Sequence, residues 1–145
     1  MEKSLESIHD HFPLTEAELR TYSALAFAYV GDCVYDLVIR TMVLSRGNNR
    51  PNRYHKEVTR IVNAKAQTDL MNIIKPHLSE EEMTIFRRGR NAKTISPAKN
   101  QSLHDYRIAT GLEALMGYLY LAGRMERLME LIRIGLEEME EEKQE

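Results

Sequence analysis

The sequence predicts an all-α fold, a helical bundle, and three observations carry that prediction. Apolar residues recur at i, i+3 and i+4 in every long segment of the 145-residue chain. No stretch alternates apolar and polar residues at the period of two that a half-buried strand requires. Finally, Thr15/Glu18, Ser79/Glu82 and Ser102/Asp105 place a capping hydroxyl three residues ahead of an acid, just before helical patterns begin.

Residues 1–13 read as a short N-terminal extension. Thr15 and Glu18 then open the first helix as a capping box, with Leu14 able to staple onto Leu19. A long apolar helix follows and should stop near Arg46 and Gly47. The GNNRPN run at 47–52 is a loop by its Gly, Asn and Pro content, and Pro51 suits a helix start. From 53 to 75 the spacing predicts one helix, with Val58, Ile61, Val62, Met71 and Ile74 for the core. Its other face carries Arg53, Lys56, Arg60, Asn63 and Gln67, which is either an ordinary solvated face or a surface that tracks phosphates. Pro76 ends that helix, and Ser79 with Glu82 caps a short one closing near Gly89. The run 87–99 holds Arg87, Arg88, Arg90, Lys93 and Lys99 and no acid, and 94–101 should be a loop around Pro97. Ser102 opens another apolar helix that Gly123 closes. A last amphipathic helix spans 124–142 on Met125, Leu128, Leu131, Ile132, Leu136 and Met139, and runs into an acidic tail, 137–145.

Two of these helices carry a charge where apolar residues are expected. In 23–40 (SALAFAYVGDCVYDLVIR), Leu25, Ala28, Tyr29, Asp32 and Tyr35 share one stripe, and only Asp32 is charged. In 105–121 (DYRIATGLEALMGYLYL), Glu113 stands among Ala109, Thr110, Gly117 and Tyr120. A charged carboxylate away from water costs several kcal/mol unless it is compensated. Each acid must therefore reach solvent, a cationic partner or a metal. Gly111 and Gly117 would let the two backbones approach closely enough for the carboxylates to meet.

Composition bounds the rest. With 43% hydrophobic residues the chain is expected to form one domain with a real core. The net charge of −2 conceals an asymmetry, because the last nine residues hold six acids and one lysine; without them 16 acids face 19 bases. Between Arg40 and Arg107 there are 14 Lys or Arg against six Asp or Glu, a footprint compatible with a nucleic-acid partner. Cys33 is the only cysteine, which excludes an intrachain disulfide and a Cys-rich zinc site; a small core residue in a reducing cytoplasm is its simplest role. The N-terminal stretch lacks the apolar run of a signal peptide, and no segment is long enough to span a membrane.

The motif AYVGDCVYDLVIR, followed 81 residues after Asp32 by Glu113 in ATGLEALMGYLYL, resembles the ribonuclease III catalytic domain. The matching residues are Gly31 and Asp32, then Glu113, Ala114, Leu115, Met116 and Gly117, and the likeness covers nearly the whole chain. RGRNAK at 88–93 is also similar to the Mini-III subgroup of that family, which lacks an appended double-stranded-RNA-binding domain. With 32 residues after Glu113, no such domain is expected there.

The resemblance implies a ribonuclease III endonuclease-domain-like helical bundle in which Asp32 and Glu113 bind Mg²⁺ and cut double-stranded RNA. Two further acids of full-length ribonuclease III have no counterpart here, since Ala28 and Thr110 stand at their places. Mg²⁺ needs only one or two protein carboxylates and keeps several waters, so their loss is compatible with cleavage. The resemblance also implies a homodimer with one site per strand and a short 3′ overhang. Tyr29 stands where the family has an aromatic dimer contact, although core packing would explain it equally. The subgroup trims the 23S ribosomal RNA precursor with the help of a large-subunit ribosomal protein. Arg53, Lys56, Arg60 and Asn63, with Arg87, Arg88, Arg90, Lys93 and Lys99, are the expected RNA-binding residues. A competing reading is a catalytically inactive double-stranded-RNA-binding or ribosome-assembly module. A metal phosphohydrolase built on His77, His104 and Asp105 fails, because it needs a further Asp and none follows Asp105.

Overall fold

The computed structural model describes residues 4–92 and 102–144, and among these every regular element is helical: eight α-helices and one 3₁₀ turn. In chain order they are α1 (Ser4–His11), α2 (Glu16–Thr21), α3 (Ala24–Ser45), α4 (Pro51–Val62), α5 (Ala64–Ile74), the 3₁₀ turn Lys75–His77, α6 (Glu80–Asn91), α7 (Leu103–Leu121) and α8 (Met125–Gln144). None is long and apolar enough to cross a membrane.

The bundle is built around α7. Ile108 to Leu112, Ala114 to Gly117, Leu119 and Tyr120 are all buried, so this helix is apolar almost all round and needs partners on every side. It packs against α3, α5, α6 and α8. Small residues set how closely: Gly89 of α6 lies against Gly111 and Ala114, and Gly111 lies against the Phe86 ring. Gly111 thus serves the contact with α6 and not, as expected, the one with α3. At the end of α7, Gly123 takes φ of +74°, and the Arg124 and Gly123 N–H groups donate to the Leu119 and Tyr120 carbonyls, 2.8 and 3.1 Å. This is a Schellman closure, and it turns the chain back into α8.

Side-chain caps set the helix starts. Thr15, Ser23, Asn63, Ser79 and Ser102 each accept an N–H from the third residue of their helix. Ser79 and Glu82 complete the reciprocal box. At Thr15 the Glu18 carboxylate instead accepts from the Thr15 hydroxyl, 3.2 Å.

Several expectations need correction. The helix expected over 53–75 is two, broken at Asn63, whose Oδ1 accepts from Ala66 N–H while its Nδ2 donates to the Thr59 and Arg60 carbonyls. One amide thus ends α4 and starts α5, outcompeting a continuous ladder. Helix α6 passes through Gly89 to Asn91, because Gly89 is a packing residue there and not a stop. Residues 4–11 are helical, with Leu5 on the core and the His9 ring 4.6 Å from that of Tyr120. Cys33 is exposed. The expected loop at 94–101 lies outside the described residues.

Candidate active site

Helices α3 and α7 touch backbone to backbone at two glycines. A Cβ on Gly31 would lie 1.7 Å from the Glu113 carbonyl oxygen, and one on Gly117 would lie 1.8 Å from that of Phe27. Neither contact tolerates any side chain. Asp32 directly follows Gly31, and Glu113 supplies the carbonyl that Gly31 touches, so the crossing brings the two carboxyl groups together.

Their environments differ. The buried face of α3 is Ala24, Phe27, Gly31, Val34, Tyr35, Ile39 and Val43, so the stripe holding Leu25, Tyr29 and Asp32 faces outward. Asp32 is exposed, whereas Glu113 is half-buried. Among the described residues no Lys, Arg or His pairs with either. Burial first, then a hydrogen bond with Asp32 and the Asp32 charge, push Glu113 up to about 9. Without a cation Glu113 is therefore held toward its protonated form at neutral pH. A carboxyl pair that must share a proton is also a pair that favours a cation in its place.

The two positions lacking the family's acids behave differently. Ala28 is half-buried against the small cluster of Leu19, Phe27 and Ile85. Thr110 is buried, and its hydroxyl donates to the Tyr106 carbonyl, 2.9 Å, so it is already engaged within α7. One neighbour was not singled out by the sequence. Tyr35, one turn beyond Asp32, is 1% exposed, and its hydroxyl has no hydrogen-bond partner. Burial, then the Glu113 charge, hold its phenol above the usual range.

The basic residues fall into separate groups. Arg53, Lys56 and Arg60 are exposed along α4, which packs on α3. Asn63 spends its amide on capping, and Gln67, placed on the same stripe by spacing, is buried with its Nε2 donating to the Val62 carbonyl, 2.8 Å. The break at Asn63 rotates Gln67 out of the stripe. On α6, Arg87 is exposed, Arg88 donates to the Tyr22 carbonyl, 3.0 Å, and Arg90 lies over the Phe86 ring. Lys93 and Lys99 lie outside the described residues. Tyr29 is 84% exposed, which removes core packing as its explanation.

The fold and this crossing define an all-helical domain with one carboxylate contributed by each of its two central helices. The Ribonuclease III domain profile matches residues 25–124, which takes in both acids. The chain is 43% identical to a Mini-ribonuclease 3 of Thermoanaerobacter sp., over 97% of this chain and 100% of that one. It is 41% identical to the Mini-ribonuclease 3 of Clostridium tetani, over 90% and 87%. A Fusobacterium nucleatum protein of known crystal structure superposes with a TM-score of 0.73 at 36% identity, covering 79% of this chain and 93% of that one. The chain belongs to the ribonuclease III family, within its Mini-ribonuclease 3 group. It is an endoribonuclease of the ribonuclease III type.

Proposed function

We propose that this endoribonuclease cleaves double-stranded RNA with Mg²⁺ held by Asp32 and Glu113, acting as a homodimer on the 23S ribosomal RNA precursor. The observation that carries the reading is the crossing at Gly31 and Gly117, which brings two carboxyl groups together with no Lys, Arg or His paired to either among the described residues. The donors fit a hard divalent ion: both are carboxylates, and one of them reaches solvent. No group of three or more His, Cys, Asp or Glu suitable for a metal occurs among the described residues, so water and phosphate oxygens would complete the coordination.

When bound, the ion neutralises charge on the scissile phosphate and lowers the pKa of an attacking water. Asp32 and Glu113 would hold it, on helices that Gly31 and Gly117 lock together. Arg53, which lies 3.9 Å from the Glu57 carboxylate, and the exposed Lys56 and Arg60 would follow the phosphate backbone, which gives affinity without sequence preference. Tyr29, one turn before Asp32 and 84% exposed, is the aromatic side chain offered to a second copy. We assign residues 1–145 to one catalytic unit.

Incubating the protein with end-labelled duplex RNA in Mg²⁺ or in EDTA tests the reading. Cleavage only with Mg²⁺, leaving a short 3′ overhang, is expected. Duplex binding without cleavage in Mg²⁺ would favour the inactive RNA-binding module.

A further inference from the structure

Among the described residues three buried side-chain polar atoms lack a partner, and of these the Tyr35 hydroxyl is the one on the helix that carries Asp32. Tyr35 is on the buried face of α3, in the core cluster that also holds Leu112, Leu115 and Met116 of α7, and stands one turn beyond Gly31, which itself rests on the Glu113 carbonyl. The side chain is 1% exposed, and its oxygen has neither donor nor acceptor partner. A buried unpaired hydroxyl is destabilising, and Phe would fill the same volume without that penalty. The hydroxyl therefore makes physical sense if it gains a partner in a second state of the site. Glu113 is the acid whose ionised form acts on the phenol, and in the metal-free structure its carboxyl is turned to Asp32.

We propose that Tyr35 is a positioning residue whose hydroxyl donates a hydrogen bond to the Glu113 carboxylate in the cation-loaded enzyme, fixing which oxygen faces the ion. The inference rests on the reading of Asp32 and Glu113 as the cation site. Groups that orient a ligating carboxylate from behind govern metal affinity, and their loss typically weakens it about 10- to 100-fold.

The test is a thermal-melting series of the full chain, titrated with MgCl₂ alone and free of RNA, for the wild type, Tyr35→Phe and Glu113→Gln. In EDTA, Tyr35→Phe should melt at or above the wild-type midpoint, because its hydroxyl is unpaired there. With Mg²⁺ the wild-type midpoint should rise, Tyr35→Phe should need about tenfold more Mg²⁺ for half of its rise, and Glu113→Gln should show none. A Tyr35→Phe chain that responds to Mg²⁺ as the wild type does would overturn the proposal while leaving the cation site standing. So would one that melts well below the wild type in EDTA or fails to fold, since the hydroxyl would then be serving the metal-free structure. A wild-type midpoint unmoved by Mg²⁺, or a Glu113→Gln midpoint raised as much as the wild type's, would instead contradict the carboxyl site itself.

Discussion

Glu82 and Glu113 are both carboxylates on helices of the same core, and the chain treats them oppositely. Glu82, on α6, is 3% exposed, yet its oxygens accept from Arg127 Nε and Nη2, each at 2.9 Å, and from the Ser79 N–H at 2.8 Å. The Arg127 hydrogen bond is the main reason that Glu82 lies below the usual carboxylate range, in spite of its burial. Glu113 is less buried and lies far above that range, because its partner is a second acid. Burial alone therefore does not distinguish a structural carboxylate from a functional one. Among the described residues the difference is that Glu82 has a cationic partner and Glu113 has none, and on the proposed function Glu113 would take its positive charge from outside.

Removing the internal cation should produce a large change in stability. Arg127→Ala strands a buried carboxylate and should cost about 3 kcal/mol, the lower end of the range for breaking a buried pair, since Arg127 itself is partly exposed. Urea unfolding measures this, and a loss near zero would mean that Glu82 finds another donor. Gly31→Ala strikes the other site: its Cβ would overlap the Glu113 carbonyl, so α3 and α7 must separate, at about 1–3 kcal/mol or more. Native stability and native cleavage in that variant would show that the crossing is not what sets the carboxyl pair.

A gentler probe is pH. Glu113 holds its proton up to about 9 in the folded metal-free protein, against 4.5 ordinarily. Its contribution to stability is complete below the lower value and is lost as pH rises through the higher one. In EDTA the melting midpoint should therefore carry a downward component across that window, and Glu113→Gln should flatten it. An identical pH profile for the variant would remove the shared proton from the account. The smallest effect belongs to the basic stripe. Replacing Arg53, Lys56 and Arg60 with Ala should lower the salt slope of duplex binding by about one per lost phosphate contact and leave cleavage-site choice unchanged.

Much of this comparison was legible beforehand. The caps at Ser79 and Ser102 and the apolar periodicity place the helices, and the Gly31–Asp32 and Glu113 motifs name the two acids whose helices the structure packs together. The functional assignment of those acids rests on chemistry and remains for experiment. Spacing failed where one side chain outweighed propensity, as Asn63 does in splitting a helix that reads as continuous. It also failed on facing: helical period alone does not say which stripe of α3 meets α7, so Cys33 reads as a core residue, and core packing stands open for Tyr29, although both are exposed. Arg127 was invisible as the partner of Glu82, because the two lie 45 residues apart and meet only through the turn at Gly123. Tyr35 looked like any apolar stripe residue, since an unpaired hydroxyl is a property of packing.

The central claim is that the carboxylate without an internal cation performs the chemistry and the one with a cation holds the fold. It is tested most directly by measuring Mg²⁺-dependent duplex cleavage, per folded molecule, for Glu113→Gln and Glu82→Gln side by side. The account predicts that Glu113→Gln folds with an intact midpoint and loses more than about 100-fold in rate, beyond what an indirect role in metal binding explains. It predicts that Glu82→Gln melts lower and cuts at the wild-type rate. Near wild-type cleavage by Glu113→Gln, or its loss in folded Glu82→Gln, would contradict it.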